Sequence, residues 1–465
     1  MLEVIINLSR IIFIILAIYF TYLCYKLYKL DDGSSNKKTT SKSKNMLKKE
    51  FQKSYYQKSQ RIILLSTHFL GYMILIGVST NHKLDLLILY AEQVVFFMAI
   101  WYILSKLYKH NNYLMWNASL YLMCISFIIL TRIDYNIGYR QFYLAIIGYL
   151  VGILIPIFIE RFSFLEHLEW VYIGISISLL IMVNFIGTEK YGATNWIFIG
   201  DFSFQPSEII KILFIFFLAA FMKNRDKLIH VVIASIPSLT LIILLVYQRD
   251  LGTALIFFII FISIIYISTN NPLYYLGGLS SGVIGAFIAY NFYGHVKNRV
   301  EAWLNPWADI DKTGYQIAQS LFAIGAGGWL GHGLTKGMPK VIPVVTTDCI
   351  FAIISEEFGN IFSITLIIII MIFFMSGIKI AKNASNNFYL LLASGISCTF
   401  AFQTFLIIGG VTKLIPLTGV TLPFISAGGT SLMMSITMLG ILEGVHIKNQ
   451  KGGANEVENK KARKK

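Results

Sequence analysis

The strongest constraint on this chain is a series of apolar stretches, each about as long as a bilayer is thick. A hydrocarbon core of ~30 Å takes about 20 residues of α-helix. The 465 residues contain about thirteen such runs, near 4–25, 61–80, 84–106, 113–131, 142–160, 169–188, 206–222, 229–247, 251–269, 273–293, 349–376, 388–409 and 430–446. Charged residues make up 14% of the chain, against about 25% in an ordinary soluble domain. A water-soluble globule of this size could not cover its surface with so few. A soluble enzyme, a disordered chain and a disulfide-stapled secreted domain are excluded. The expected fold is an all-α polytopic membrane protein.

The charges then give an orientation. Net charge is +15, from 39 Lys and Arg against 24 Asp and Glu. The bases sit between apolar runs, in the linker 26–60, in Lys106–His110, Lys223–Lys227 and Lys379–Lys382, and in the tail 448–465. That is the pattern of cytoplasmic loops and not of a nucleic-acid face. With thirteen alternating spans all five fall on one side, leaving the N-terminus outside and the C-terminus cytoplasmic. The first run lacks a basic flank and a small-residue cleavage site and reads as a retained helix. Cys24, Cys124, Cys349 and Cys398 are isolated in or beside apolar runs and read as small hydrophobes. No cofactor is evident, and no ligand cluster supports dependence on a divalent cation.

Two long segments are expected outside, 187–205 and 294–348. A transporter would place ionisable residues at mid-membrane depth. Here they gather in the outer loops, which favours chemistry at that face. In GATNWIFIGDFSFQPSEIIKILF (Gly192–Phe214), Pro206 suits a first helical turn, and Glu208 and Lys211 share a helix face. The pair reads either as an interfacial ion pair or as an anion site with a lysine one turn into a helix. Asp250, before Leu251-Gly252-Thr253, suits an N-cap, and Arg249 beside it could meet phosphate. The segment from His295 carries Trp303, Trp307, Trp329, Asp309 and Asp311, where loop aspartates usually form turns. Its part 316–324 is amphipathic, with Ile317, Leu321 and Ile324 opposite Gln316, Gln319 and Ser320, as in a helix along the membrane surface. Glu356 and Glu357 lie inside an apolar run. They point about 100° apart, so at least one is expected to face a polar cavity. Pro416, Gly419, Pro423, Gly428 and Gly429 crowd one connection, tolerated at membrane depth only when buried in protein or lining a cavity.

These stretches in this order resemble the SEDS family, the FtsW/RodA/SpoVE peptidoglycan glycosyltransferases. The resemblance covers about residues 113–446. It rests on GA-x-x-W with QPSE-x-x-K, DLGT, NPW-x-D with GYQ, TD-x-IFA-x-x-x-EE-x-G, and PLTG-x-x-LPF-x-S-x-GG-x-S. It implies a ten-helix SEDS-like core at 111–447, a large extracellular loop with an amphipathic helix, and about three extra N-terminal transmembrane helices in an extension, 1–110. It also implies polymerisation of lipid II, a disaccharide-peptide on undecaprenyl pyrophosphate, at the outer face of the bacterial cytoplasmic membrane. A class B penicillin-binding protein transpeptidase is the implied partner. Asp309 resembles the essential carboxylate, acting as general base. Trp196 would shape the sugar or lipid groove, and Lys211, Arg299 and Arg249, in that order, would stabilise the pyrophosphate. Glu208, Asp250, Glu356, Glu357, Ser426, Gly428 and Gly429 stand in the remaining motifs. Departures are Asn195 where many members have Arg, Arg249 where many have Pro, and Val344-Val345 where many have an acidic residue or His before TD. A flippase for a lipid-linked precursor and a transpeptidase scaffold are the alternatives.

Overall fold

The computed structural model describes residues 2–32, 42–80, 82–109, 111–190, 193–199, 202–310 and 312–462. The linker stretch 33–41, His110, Gly192, Asp311 and the tail end 463–465 lie outside them.

Every apolar run falls on helix. In chain order the long helices are α1 (Leu2–Asp32), α2 (Lys42–Val78), α3 (Lys83–Leu107), α4 (Tyr113–Ile133), α5 (Tyr135–Arg161), α6 (Glu169–Ile186), α7 (Pro206–Met222), α8 (Leu228–Tyr247), α9 (Leu251–Thr269) and α10 (Pro272–Phe292). There follow the shorter α11 (Gly294–Leu304), α12 (Tyr315–Gly327) and α13 (Ile350–Phe358), then α14 (Asn360–Lys382), α15 (Asn387–Val411) and α16 (Gly429–Ala462). Among the described residues, twelve helices are long and apolar enough to cross a membrane. The thirteenth run is α7, 17 residues long. Termination is local and chemical. Asn112, Asp250, Asn271 and Asn386 cap α4, α9, α10 and α15 with side-chain oxygens on backbone N–H groups.

The chain divides into two compact units. The first comprises Met1–Ile146, Ala318–Ser376 and Phe424–Ala427; the second comprises Ile147–Ile317, Gly377–Pro423 and Gly428–Lys465. In the first, every residue of the most apolar window of α4 is buried. The extension helices cover part of that surface through polar contacts, which apolar solvent makes obligatory once the groups are buried. Gln60 donates to Cys24 Sγ (3.1 Å), Asn117 to Gln60 (3.0 Å) and Trp101 to Asn117 (3.1 Å). His68 meets Gln93 at 2.8 Å, and Tyr72 meets Thr131 at 3.2 Å. In the second unit α7 is the packed centre, with Phe214 stacked on Phe257 at 4.9 Å.

Five elements differ from the sequence reading. The run 349–376 is two helices. Gly359 stands between α13 and α14 at φ +90, and a Cβ there would lie 2.4 Å from the Gly331 nitrogen. Apolarity continues through this break, so hydropathy cannot register it. The segment 187–205 holds a three-stranded antiparallel sheet, β1 (Thr188–Lys190), β2 (Ala193–Ile199) and β3 (Phe202–Phe204). The described part of the linker from Lys42 is helical, as is the tail to Ala462. In α12, Ser320 is buried with Ile317, Ala318 and Ala323, so its inward face is not the purely apolar one.

Gly331 sits at φ +74, and a Cβ would fall 2.3 Å from the Glu357 carbonyl oxygen. Gly331→Ala combines left-handed strain with that overlap and should cost about 1–3 kcal/mol. Thermal unfolding in detergent checks it, and an unchanged midpoint would refute the close packing of Gly331 against α13.

Candidate functional site

Residues of the first, second and fifth motifs meet in the second unit. Strand β2 alternates as a half-buried strand should: Asn195 and Ile197 are buried, Trp196 is half-buried and Phe198 is exposed. Its register sets Trp196 opposite Thr188 of β1. Asn195 Nδ2 donates to Asp250 Oδ2 at 2.6 Å, and Gln205 and Ser207 reach the same oxygen at 3.2 and 3.4 Å. Asp250 Oδ1 accepts the Thr253 N–H at 3.2 Å, the cap of α9. Thr194 N–H also donates to Gln248 O at 3.1 Å. Asp250 is therefore an N-cap and, beyond that, the knot that ties β2 and the start of α7 to α9. Asn195 supplies one neutral donor where the family resemblance implies Arg, and its own Oδ1 is buried and unpaired among the described residues.

Arg249 precedes this knot at φ +62. Proline, locked near −65°, is incompatible with this backbone conformation. The Arg249 guanidinium is 3.9 Å from Glu189, with both side chains more than half exposed.

The contacts of Lys211 are those of a buried ion pair. Its Nζ donates to Glu208 at 2.9 Å and to Gln403 at 3.1 Å, and its side chain is 1% exposed. Gln403 donates in turn to Thr421 O at 2.8 Å, and the Thr421 and Ser431 hydroxyls meet at 2.6 Å. The Gln205 N–H donates to Thr430 Oγ1 at 3.2 Å. Lys211 is thus a buried tie joining α7, α15, the 412–428 connection and α16. Removing one partner of such a pair strands the other charge, at about 3–5 kcal/mol.

Arg299 on α11 donates to Leu417 O at 3.3 Å and Thr418 O at 3.1 Å, and Trp303 Nε1 donates to Lys413 O at 3.1 Å. One face of α11 is so fastened to the PLTG connection. Asp309 follows, half-buried, in the turn that leads to α12. Its carbonyl accepts the Gly314 N–H at 3.0 Å, and a Cβ at Gly314 would collide with Pro306 O. This explains the spacing from NPW to GY: the turn closes on a residue without a side chain. Thr313 Oγ1 donates to Asp309 Oδ2 at 3.3 Å. An ionised carboxylate has about four lone-pair sites, so this one contact leaves acceptor capacity.

Glu356, Glu357 and Ser426 belong to the first unit. Glu357 is fully buried, with Oε1 accepting from Arg132 Nε at 3.2 Å and from Gly337 N–H at 3.1 Å. Arg132 also donates to Thr335 O at 3.0 Å. Both oxygens of Glu356 accept the Met338 N–H at 3.2 Å. Ser426 Oγ donates to Thr347 O at 2.7 Å, pinning the 424–427 stretch to the start of the TD motif. Gly428 and Gly429 open α16 in the second unit, where the Gly428 carbonyl accepts the Leu432 N–H at 2.8 Å. Among the described residues, no group of three or more His, Cys, Asp or Glu could hold a metal ion.

Sequence reasoning passed over Asn195 as a partner of Asp250, and over Gln403, Thr421 and Arg132. For Arg132 a signal existed. Two glutamates inside an apolar run need a cation, and Arg132 stands at the end of another run. The others are neutral residues whose partners are 18 to 192 positions away.

The family model described as "Cell cycle protein", FtsW/RodA/SpoVE, matches residues 112–451. The chain is 36% identical over 271 residues to the peptidoglycan glycosyltransferase RodA of Mycobacterium tuberculosis, covering 55% of this chain and 58% of that one. It therefore spans under two thirds of the length of that relative. It is 34% identical over 310 residues to stage V sporulation protein E of Bacillus subtilis, covering 63% of this chain and 84% of the relative. Among solved structures, Thermus thermophilus RodA aligns with a TM-score of 0.55 at 23% identity, over 73% of this chain and 97% of that one. A structure described as showing structural coordination of polymerization and crosslinking by a peptidoglycan synthase complex aligns with a TM-score of 0.63 at 23% identity, over 74% and 99%. These structural likenesses speak for the fold. With twelve helices fit to span a bilayer and a family match over most of its length, the chain is a multi-pass membrane protein and belongs to the FtsW/RodA/SpoVE family.

Proposed function

We propose that the protein is a peptidoglycan glycosyltransferase that polymerises lipid II at the outer face of the bacterial cytoplasmic membrane. The observation that carries this is Asp309, held half-buried in the NPW-x-D turn with one hydroxyl contact. Relatives named peptidoglycan glycosyltransferase support it. Asp309 takes the proton from the acceptor sugar hydroxyl as that oxygen attacks the anomeric carbon, and the C–O bond to the lipid pyrophosphate breaks. The departing pyrophosphate carries the negative charge, so cations stabilise it. The exposure of the three candidate cations supports the order Arg249, Arg299, Lys211. Arg249 is the exposed cation, Arg299 holds the PLTG connection, and Lys211 braces α7. Trp196, half-buried on β2, lines the groove for sugar or lipid. The N-terminus lies outside and the C-terminus in the cytoplasm, and a class B penicillin-binding protein supplies crosslinking.

Purified protein given lipid II, with and without that partner, tests the reading. Wild type should make glycan polymer, and Asp309→Asn should lower the rate by roughly 10²–10⁴-fold, the usual worth of positioned proton transfer. Equal polymer from both removes Asp309 as the base. Lipid scrambling in liposomes without polymer from wild type would replace the polymerase by a precursor transporter.

Arg249→Gln keeps the size of the side chain and removes its charge. The loss of one charge-assisted contact should lower the rate at least about tenfold, with the substrate supplied at saturation. Polymerisation at the wild-type rate would exclude Arg249 from the leaving-group site.

A further inference from the structure

The helices α1–α3 take no part in the chemistry proposed above, yet within the first unit they attach to α4 through the Gln60–Asn117–Trp101 ladder. A second attachment lies at the start of α1. Ile6, 2% exposed, covers Gly333, whose missing Cβ would lie 2.7 Å from Ile6 Cγ2. Arg10 Nε donates to Leu330 O at 3.4 Å, and Lys336 Nζ donates to Glu3 at 3.2 Å. Phe13 meets Phe358 of α13 edge to face at 4.8 Å.

The same 330–336 stretch is gripped from its other side. The N–H groups of His332 and Gly333 donate to the carbonyls of Glu356 and Glu357 at 2.8 and 2.9 Å. Arg132, on α4, reaches Thr335 O at 3.0 Å while holding the Glu357 carboxylate. The stretch therefore lies between α1 on one side and the acidic helix α13 with Arg132 on the other. We propose that the first turns of α1 form an intrachain clamp that holds the 330–336 stretch on α13 and so fixes the geometry of Glu356 and Glu357. The clamp rests on the buried contacts of Ile6 and Phe13. The Glu3–Lys336 pair is 82% and 43% exposed, and exposed pairs of this kind contribute little.

The test uses the full chain in nanodiscs and has two arms. In the first, amide hydrogen exchange is followed at His332 and Gly333. Ile6→Ala/Arg10→Ala should speed exchange there by roughly tenfold or more. Glu3→Ala should change it less than twofold, and so should Ile11→Ala on the exposed face of α1. Unchanged exchange in the double variant overturns the clamp. In the second arm, Glu3→Cys/Lys336→Cys is bridged with a bis-maleimide. Polymer synthesis should then continue at the wild-type rate, because the clamp is closed during turnover. Abolished synthesis in the bridged protein overturns the proposal, since the stretch would have to leave α1. The second arm rests on the polymerase reading and the first does not. A wild type that makes no polymer sinks that reading, and exchange alone then decides the clamp.

Discussion

A carboxylate taken out of water must be given donors or lose its charge, and that requirement organises the second unit around Asp250. Four donors reach its two oxygens, from Asn195, Gln205, Ser207 and the Thr253 N–H. All are neutral. Hydrogen bonds to a charged group contribute about 1.5–3 kcal/mol each, and together they replace the cation that the burial would otherwise demand. The geometric consequence is larger than the energetic one. A strand, a helix entry and a helix cap from three parts of the chain converge on one residue, and that convergence presents Trp196 from a strand held on its buried side.

The first unit answers the same requirement with a cation. Arg132 shares its guanidinium between the Glu357 carboxylate and the carbonyls of Thr335 and Gly337. Glu208 and Lys211 are a third solution, a pair three residues apart on one helix whose spare ammonium donor goes to Gln403. Three acidic residues in one chain therefore have three electrostatic settings, each fixed by what a distant segment brings.

That distance marks what the sequence makes legible. Spans could be read because lipid imposes a length on each helix and leaves it apolar throughout. The cap at Asp250 and the pair Glu208–Lys211 could be read because their partners are three residues away. The break at Gly359 could not, since its cause is the approach of Gly331 and the run stays apolar across it. The strands β1–β3 were hidden because they are short, and alternation over a few residues carries little signal. Arg132 pairs with a residue 225 positions on, and Gln403 and Asn195 are neutral residues that no charge count would flag. Motif order picked out the candidate residues, and local spacing gave their short-range contacts. The long-range contacts that decide which cation is buried and which is open are properties of the fold.

Those contacts also bear on which carboxylate can do chemistry. A general base needs a lone pair that is not already committed and a proton donor that can reach it. Asp250 is reached by four donors, Glu208 faces a buried lysine, Glu356 is buried with both oxygens on the Met338 N–H, and Glu357 is enclosed beside Arg132. Asp309 differs from all of them. It is half-buried, it stands in a turn closed by backbone groups, and its carboxylate accepts one threonine hydroxyl. The turn holds the residue through its carbonyl, so the side chain keeps its acceptor capacity for a substrate. Commitment to the fold and availability for reaction are thus separated within one residue, between its main chain and its side chain.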